Sequence, residues 1–182
     1  NALDHVNVGW KVAAVLMLAI TTLPYVIATG RTPLASKTIY EQQYQMHRFA
    51  TEFFPHNVAV NDLGWISYQN DGLVLDLWGL GSERARKARL AGAWTKEAVQ
   101  GLATEYDVAF AMVYEDWLGS VMPSAWCHVA QLHATTSAGV NEHAVDFYLA
   151  DLSRQDEMAA ALDRFGTDLQ DGVSLARFSC AR

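Results

Sequence analysis

Three apolar runs of the chain end in polar or aromatic residues that could bind a ligand or transfer a proton. The runs cover residues 58–60, 73–77 and 108–114. Carboxylates beside aromatic rings suit either sugar recognition, by stacking and hydrogen bonds, or acid–base catalysis. The carboxyl ends of parallel strands meet at one edge of a sheet, so we expect these side chains to lie close together. We call this candidate ligand-binding set the strand-tip residues: Asn61, Asp62, Asp76, Trp78, Gly79, Tyr114, Glu115 and Trp117.

Structural roles are the alternative for the polar members of this set. Asn61 and Asp62 are placed to cap a helix that starts at Leu63. Asp76 lies inside an apolar strand, where its carboxylate needs a partner such as a loop amide or an arginine. The sequence leaves both interpretations open.

The glycine turn after the second run does not match a dinucleotide-binding fingerprint. That fingerprint requires three glycines. Gly79 and Gly81 supply two of them, but Arg84 stands at the third position and the bulky Trp78 precedes the turn. We expect the turn to serve packing, and we predict no cofactor.

Composition argues against two other kinds of site. A net charge of −7 disfavours a nucleic-acid partner. The six histidines show no metal-ligand spacing, and His128 and His133 are predicted to lie on opposite faces of one strand. We therefore predict no metal site.

The two cysteines, Cys127 and Cys180, match no zinc or redox motif. Two buried thiols are one interpretation. A disulfide that closes a long loop is the other, and it is reasonable if the domain lies outside the cytoplasm.

The elements that position the strand-tip residues follow an α/β pattern. Strands alternate with helices over residues 58–114, which predicts right-handed crossovers and parallel pairing. Two later strands, at 126–135 and 144–150, are joined through 136–142 and predict an antiparallel hairpin. The expected fold is α/β: a Rossmann-like three-layer sandwich with a mostly parallel sheet and an antiparallel C-terminal hairpin, preceded by an apolar helix.

The N-terminal segment is apolar enough to cross a membrane. Residues 12–30 carry no charge, and as a helix they reach about 28 Å, roughly the thickness of the hydrocarbon core. We predict a last transmembrane helix at about 8–30, residues 1–33 as the end of a membrane-spanning region, and 34–182 as one soluble α/β domain. An apolar helix buried in this domain or against a partner is the alternative.

One block of the sequence resembles a known family. YEQQYQMHRFATEFF at 40–54, followed by VAVNDLGWISYQNDGLVLDLWGLGS at 58–82, is similar to the C-terminal soluble region of bacterial multi-spanning glycosyltransferase-like proteins of the GT-C type, relatives of the protein mannosyltransferases. VAFAMVYEDW at 108–117 fits the same pattern more loosely. The matching positions are Tyr40, Glu41, Gln42, Gln43, Asn61, Asp62, Leu63, Gly64, Tyr68, Asp76, Leu77, Gly79 and Leu80.

The resemblance implies a membrane-anchored domain on the periplasmic or extracellular side. The flanking charges, Lys11 before the helix and Arg31 and Lys37 after it, point mildly the other way. In such transferases the acidic catalytic residue lies in an early loop between membrane helices. The resemblance therefore implies that none of the residues of this chain is catalytic.

Three functional hypotheses follow. The first is an accessory extracytoplasmic domain of a polyprenyl-phosphate-sugar-dependent membrane glycosyltransferase, which contacts its own transmembrane region and helps to bind an acceptor, a glycan or a lipid-linked sugar. The second is a stand-alone α/β enzyme with a carboxylate site at Asp62, Asp76 and Glu115. The third is a purely structural or interaction domain, in which Trp78 and Trp117 fill the crevice at the strand tips.

Overall fold

A computed structural model describes residues 2–134 and 144–180 of the chain, with residues 2–7 described by their backbone alone. The predicted hairpin connection at 136–142 lies outside the described residues. The described helices are α1 (Ala2–Glu41), α2 (Gln43–Arg48), α3 (Glu83–Leu90), α4 (Lys96–Glu105), α5 (Glu115–Leu118) and α6 (Gln155–Thr167). The strands are β1 (Val58–Val60), β2 (Val74–Asp76), β3 (Phe110–Val113), β4 (Cys127–Ala134), β5 (Ala144–Leu149) and β6 (Val173–Arg177). Shorter pieces are a π-helix at Phe49–Phe53 and 3-10 turns at Trp65–Ser67, Gly119–Val121 and Leu152–Arg154.

All six strands form one sheet in the order β2-β1-β3-β5-β4-β6. Strand β1 pairs in parallel with both β2 and β3, whereas β3–β5, β4–β5 and β4–β6 are antiparallel. The sheet is therefore mixed, and the predicted mostly parallel sheet is not confirmed. The reason lies in connection length: β4 and β5 are too close in sequence for a helical crossover, so they pair as antiparallel neighbours, and β5 also pairs with β3.

Two hydrophobic clusters hold these elements together. The first surrounds Phe49, whose ring centroid lies 5.7 Å from that of Phe110, 5.1 Å from that of Phe147 and 5.1 Å from that of Phe165. It joins the π-helix and α6 to the sheet. The second cluster joins α3 and α4 to β1, β2 and β3 through Ala85, Val99, Ala59, Leu75 and Val113, among others.

Helix α1 stands apart from both clusters. None of its most apolar stretch is buried, and Ile20 and Tyr25 are 72% and 74% exposed. Burial of this helix in the domain, the alternative left open by the sequence, is not found. By length and composition α1 could cross a membrane, as an anchor or as a signal sequence.

A disulfide joins Cys127, at the start of β4, to Cys180, three residues beyond β6. Their Cα atoms lie 5.5 Å apart, and 53 positions separate them in the sequence. Of the two interpretations of the cysteines, the structure has the disulfide. It fastens the chain after the edge strand β6 back to the sheet.

Replacing both cysteines with serine should lower the free energy of unfolding by about 4 kcal/mol, because the crosslink restricts a long loop of the unfolded chain. Urea denaturation of the full chain in detergent micelles measures the change. Wild-type protein reduced under the same conditions is the control and should unfold at the same midpoint as the variant. An unchanged midpoint would show that the crosslink does not limit stability.

Candidate functional site

The apolar helix enters the domain at the strand tips. Gln43, at the start of α2, donates a hydrogen bond to the hydroxyl of Tyr114, which follows β3. At the other end of the same helical segment, the ring of Phe54 lies 5.1 Å from that of Phe110, where β3 begins. The segment after α1 therefore runs antiparallel to β3, and α1 projects beyond the carboxyl ends of β1 and β3.

Five buried or half-buried polar residues link α2 to these two strands, and we call them the tip network. Gln43 Nε2 donates to Tyr114 OH at 3.3 Å and to Asp62 Oδ2 at 3.4 Å. Tyr114 OH donates to Gln42 Oε1 at 3.1 Å, and the backbone N–H of Tyr114 donates to Asn61 Oδ1 at 2.9 Å. Gln42, where α1 breaks and α2 begins, has φ −120° and ψ −78°. The break between the two helices is thus held by side-chain hydrogen bonds to β1 and β3.

Two atoms of the tip network have no hydrogen-bond partner among the described residues. They are Gln43 Oε1, an acceptor, and Asn61 Nδ2, a donor. Both residues are more than nine-tenths buried. Buried polar atoms are normally paired with protein or with ordered water. One acceptor and one donor are the complement of a water molecule or of a ligand hydroxyl.

The tip network lies where the topology of the sheet predicts a ligand crevice. Strand β1 is flanked by β2 on one side and β3 on the other. The chain therefore passes from β1 to β2 on one side and then crosses back to form β3 on the other side. In open α/β sheets such a reversal of strand order leaves a crevice at the carboxyl ends. Here Gln43, at the start of α2, reaches groups that follow both β1 and β3.

Asp76 has a structural role. Its carboxylate accepts four backbone hydrogen bonds at 2.5–3.2 Å, from the N–H groups of Trp78, Gly79, Gly81 and Ser82. Four loop amides thus provide the partner that the sequence predicts for this carboxylate. These bonds shape the turn that leads from β2 into α3, and they leave the carboxylate no capacity for a ligand.

Gly79 belongs to the same turn and is required there by its backbone. Its φ is +93°, and a Cβ atom at this position would lie 2.7 Å from the Cα atom of Arg86. Only glycine fits both the positive φ and this close approach to α3. The turn serves packing, and Ser82 caps α3 by accepting a hydrogen bond from the N–H of Ala85.

Asn61 and Asp62 do not cap a helix as one interpretation proposed. Asp62 Oδ1 accepts from the N–H of Gly64 in a local turn, and the following 3-10 turn begins only at Trp65. Asn61 instead joins the ends of β1 and β3 through Tyr114. The sequence could not show this because the partner is 53 residues away.

Three aromatic rings cover the outside of the strand tips. The rings of Trp78 and Trp117 lie 4.8 Å apart, and Trp117 meets Tyr114 edge-on at 5.4 Å. The guanidinium of Arg89 lies 3.6 Å from the ring centre of Trp78, a cation–π contact. Trp117 nevertheless remains 41% exposed. The two tryptophans therefore pack on each other and still present an aromatic surface to solvent.

Glu115 belongs to a second polar group, which we call the hairpin cluster. Its Oε2 accepts a hydrogen bond from Tyr148 OH at 2.6 Å. On the same strand as Tyr148, Asp146 is 2% exposed. Asp146 Oδ1 accepts from Gln131 Nε2 at 2.9 Å and lies 2.8 Å from His128 Nε2. Sequence reasoning missed this cluster, although the alternation of Asp146 and Tyr148 along one strand was a usable signal.

Burial perturbs the acidity of this cluster. It raises the pKa of Asp146, a shift that His128 opposes and that the charge of Glu115 increases. Burial, together with the hydrogen bond to Glu115, also raises the pKa of the Tyr148 hydroxyl. Asp146 Oδ2 has no hydrogen-bond partner among the described residues.

The prediction that His128 and His133 lie on opposite faces is wrong. His128 is paired with Tyr148 and His133 with Ala144, and the two partners lie on the same face of β5 because they are an even number of residues apart. A β-bulge at Val129 inserts one extra residue between them and reverses the alternation. Even so, no three His, Cys, Asp or Glu side chains of the described ranges are grouped as a metal site.

The comparisons with known proteins show a family. The model of a domain of unknown function, DUF8728, matches residues 37–156, about two thirds of the chain. The chain belongs to the DUF8728 family. The match runs from the last turn of α1 to the start of α6 and includes all eight strand-tip residues, whereas Cys180 lies beyond it. No curated protein and no solved structure matches the chain.

Substituting Asp76→Asn should destabilise the domain by about 2–4 kcal/mol, because the amide nitrogen cannot accept the N–H groups that one carboxylate oxygen now accepts. Thermal or urea unfolding of the full chain measures the loss. Asp71→Asn, in the exposed loop before β2, is the matched control and should change stability little. Unchanged stability of the Asp76 variant would contradict the structural role.

Substituting Asp146→Asn should change how stability depends on pH. The pKa of Asp146 is raised in the folded protein, so its ionisation costs stability as the pH rises from its unfolded pKa through the folded one. Relative to wild type, the variant should therefore gain stability as the pH rises above about 4, the ordinary pKa of an aspartate in the unfolded chain. Melting temperatures at several pH values measure this, and a difference that stays constant with pH would exclude a raised pKa.

Proposed function

We propose that the chain is a membrane-anchored accessory domain of a polyprenyl-phosphate-sugar-dependent glycosyltransferase, and that it contributes to acceptor or glycan binding without being catalytic. One observation carries this proposal. The apolar helix α1 enters the domain at the carboxyl ends of β1 and β3, so the strand tips face the membrane that α1 would cross. In this position Asp62, Glu115 and Trp117 would contact a substrate held at the membrane surface.

The state of the strand-tip residues supports a binding role over a catalytic one. Asp76 is saturated by backbone N–H groups, so the three-carboxylate site of the stand-alone enzyme hypothesis lacks one member. Asp62 accepts a hydrogen bond from the N–H of Gly64, and Glu115 accepts one from the hydroxyl of Tyr148. The exposed ring of Trp117 offers a stacking surface. An accessory domain needs such a surface and does not need an activated nucleophile.

The contact between Trp78 and Trp117 favours the third hypothesis, a purely structural domain, as a second candidate. These rings pack on each other at the strand tips, where Gln43 of α2 also forms hydrogen bonds. The unpaired atoms of Gln43 and Asn61 and the exposure of Trp117 favour a ligand. Binding measurements decide between the two hypotheses.

The disulfide supports a location on the periplasmic or extracellular side. Structural disulfides persist in oxidising compartments and are rare in the cytoplasm. This favours the location implied by the family resemblance over the weak indication of the flanking charges.

The strand order β2-β1-β3 and the two hydrophobic clusters support a Rossmann-like, three-layer arrangement of the parallel half of the sheet.

Trp117→Ala and Glu115→Gln should each weaken binding of a polyprenyl-phosphate hexose by roughly tenfold, equivalent to about 1.4 kcal/mol. The full chain in lipid nanodiscs would be titrated with this probe and followed by tryptophan fluorescence. For Trp117→Ala, whose fluorescence is altered, calorimetry replaces fluorescence. Free polyprenyl phosphate is the ligand control and reports any contribution of the lipid alone.

Asp156→Asn is the matched control for Glu115→Gln, because Asp156 is exposed in the first turn of α6, outside both polar clusters. Its affinity should equal that of wild type. If wild type binds neither probe, the structural hypothesis replaces the proposal. Turnover of a lipid-linked sugar by the chain alone would contradict the non-catalytic role.

A further inference from the structure

A shallow groove lies where α1 meets the domain, and we call it the aromatic groove. It has a volume of about 370 Å³ and is lined by Ser36, Ile39, Tyr40, Tyr44 and Trp65. Tyr40 and Trp65 are 44% and 42% exposed. Nothing in the tip network or the hairpin cluster accounts for this exposed apolar surface.

The rings of the groove form one continuous surface. Tyr40 stacks on Tyr44 with ring centres 5.2 Å apart, and Tyr44 meets Trp65 edge-on at 5.5 Å. Tyr68 extends the surface, with its ring centre 5.7 Å from that of Trp65. Tyrosine and tryptophan are the residues enriched at membrane–water interfaces, because their rings are apolar while their OH and N–H groups stay wet.

The groove occupies one side of α1, and Arg31 lies toward the other. At about 100° per residue, Arg31 points about 140° away from Ser36, about 180° away from Tyr40 and about 80° away from Ile39. Thr38 and Glu41, buried against the domain, also point away from the groove. A helix tilted with its groove side toward the bilayer would therefore keep Arg31 and the domain on the water side.

The length of α1 fixes how far the helix must tilt. The midpoint of the uncharged run is Thr21, and Tyr40 follows 19 residues later, about 28 Å along the axis. The outer limit of the head-group layer lies about 20–22 Å from the bilayer mid-plane. A tilt of about 30°, within the range of membrane helices, brings a side chain on the lower face to about 22 Å. An upright helix would leave Tyr40 about 6 Å above the head groups.

We propose that the aromatic groove docks onto the lipid head-group layer of the membrane that α1 crosses, with α1 tilted by about 30° toward its groove side. This inference rests on the membrane anchoring in the proposed function. Lys37, one residue along from the groove, holds its ammonium group 3.4 Å from the buried carboxylate of Glu41, so the contact with the head groups rests on the rings. Two features thus hold the domain at the bilayer: the helix and the aromatic rings.

Quenching of tryptophan fluorescence by spin-labelled lipid tests this arrangement. The full chain is placed in phosphatidylcholine nanodiscs with and without lipid that carries a nitroxide on its head group. The contribution of Trp65 is the difference between wild type and Trp65→Phe. Trp126, which precedes β4 at the far end of the sheet and is only 7% exposed, is measured likewise through Trp126→Phe as the control.

We expect the Trp65 contribution to be quenched roughly twofold or more, because a ring docked on the head-group layer lies beside the nitroxide, and the Trp126 contribution to be unchanged. Trp65→Phe keeps an aromatic ring at an exposed position, and circular dichroism verifies its fold. As an independent reading, Tyr40→Trp in the Trp65→Phe background should restore the quenching.

Two outcomes would overturn the inference, and they are distinguishable. If the chain enters nanodiscs but neither Trp65 nor the indole introduced by Tyr40→Trp is quenched, the groove faces water or protein, and the anchoring stands without the docking. If the chain does not enter nanodiscs at all, the anchoring in the proposed function fails, and the docking fails with it.

Discussion

The bare apolar surface of α1 is the constraint on which the rest of the structure depends. Side chains along its uncharged run are largely exposed, and the folded domain covers none of its most apolar stretch. Such a surface requires lipid or apolar protein around it. Whatever surrounds α1 also positions the domain, because α1 continues through the tip network into α2. The direction of the domain is therefore set at the joint near Gln42.

The chemistry of this joint explains how it can be specific. An apolar contact between α2 and the strands would tolerate a rotation of the helix, whereas the hydrogen bonds of Gln42 and Gln43 to Tyr114 would not. Breaking one leaves a buried polar atom unpaired, which costs more than the bond itself contributes. Asn61 extends the same logic to the sheet, since it holds the ends of β1 and β3 together. The network makes the helix and the strand tips one mechanical unit.

The sequence predicts the elements well and their partners poorly. The three runs that became β1, β2 and β3 could be predicted because their signals are local. The mixed sheet could not, because the pairing of β5 with β3 depends on packing between distant segments. The bulge at Val129 left no mark in the composition and reversed the predicted faces of the histidines.

The same contrast between local signals and distant partners applies to the candidate site. Asp76 was expected to need a partner because a carboxylate inside an apolar run cannot stay unpaired. Its four N–H partners lie within six residues, so the prediction rested on local chemistry. The roles of Asn61 and Asp146 depend on Tyr114, Gln131 and His128, which a periodicity argument cannot place. Carboxylates at strand tips alone therefore do not identify a catalytic site; what they already bind must be known.

The placement of charge relative to α1 supports a membrane-facing tip. The side chains that hold the joint are three amides, a phenol and the carboxylate of Asp62, which accepts a hydrogen bond from Gln43. The buried carboxylate nearest to them on α1, Glu41, lies 3.4 Å from the ammonium of Lys37. Unpaired charge beside a low-dielectric bilayer would be strongly disfavoured, whereas neutral hydrogen-bonded groups are not. The raised pKa of Asp146 belongs to the hairpin cluster, which is built from β4, β5 and the start of α5 and not from the joint. Asp62 and Glu41 at the joint therefore each have a partner, which is the condition that the proposed position beside a bilayer would impose on them.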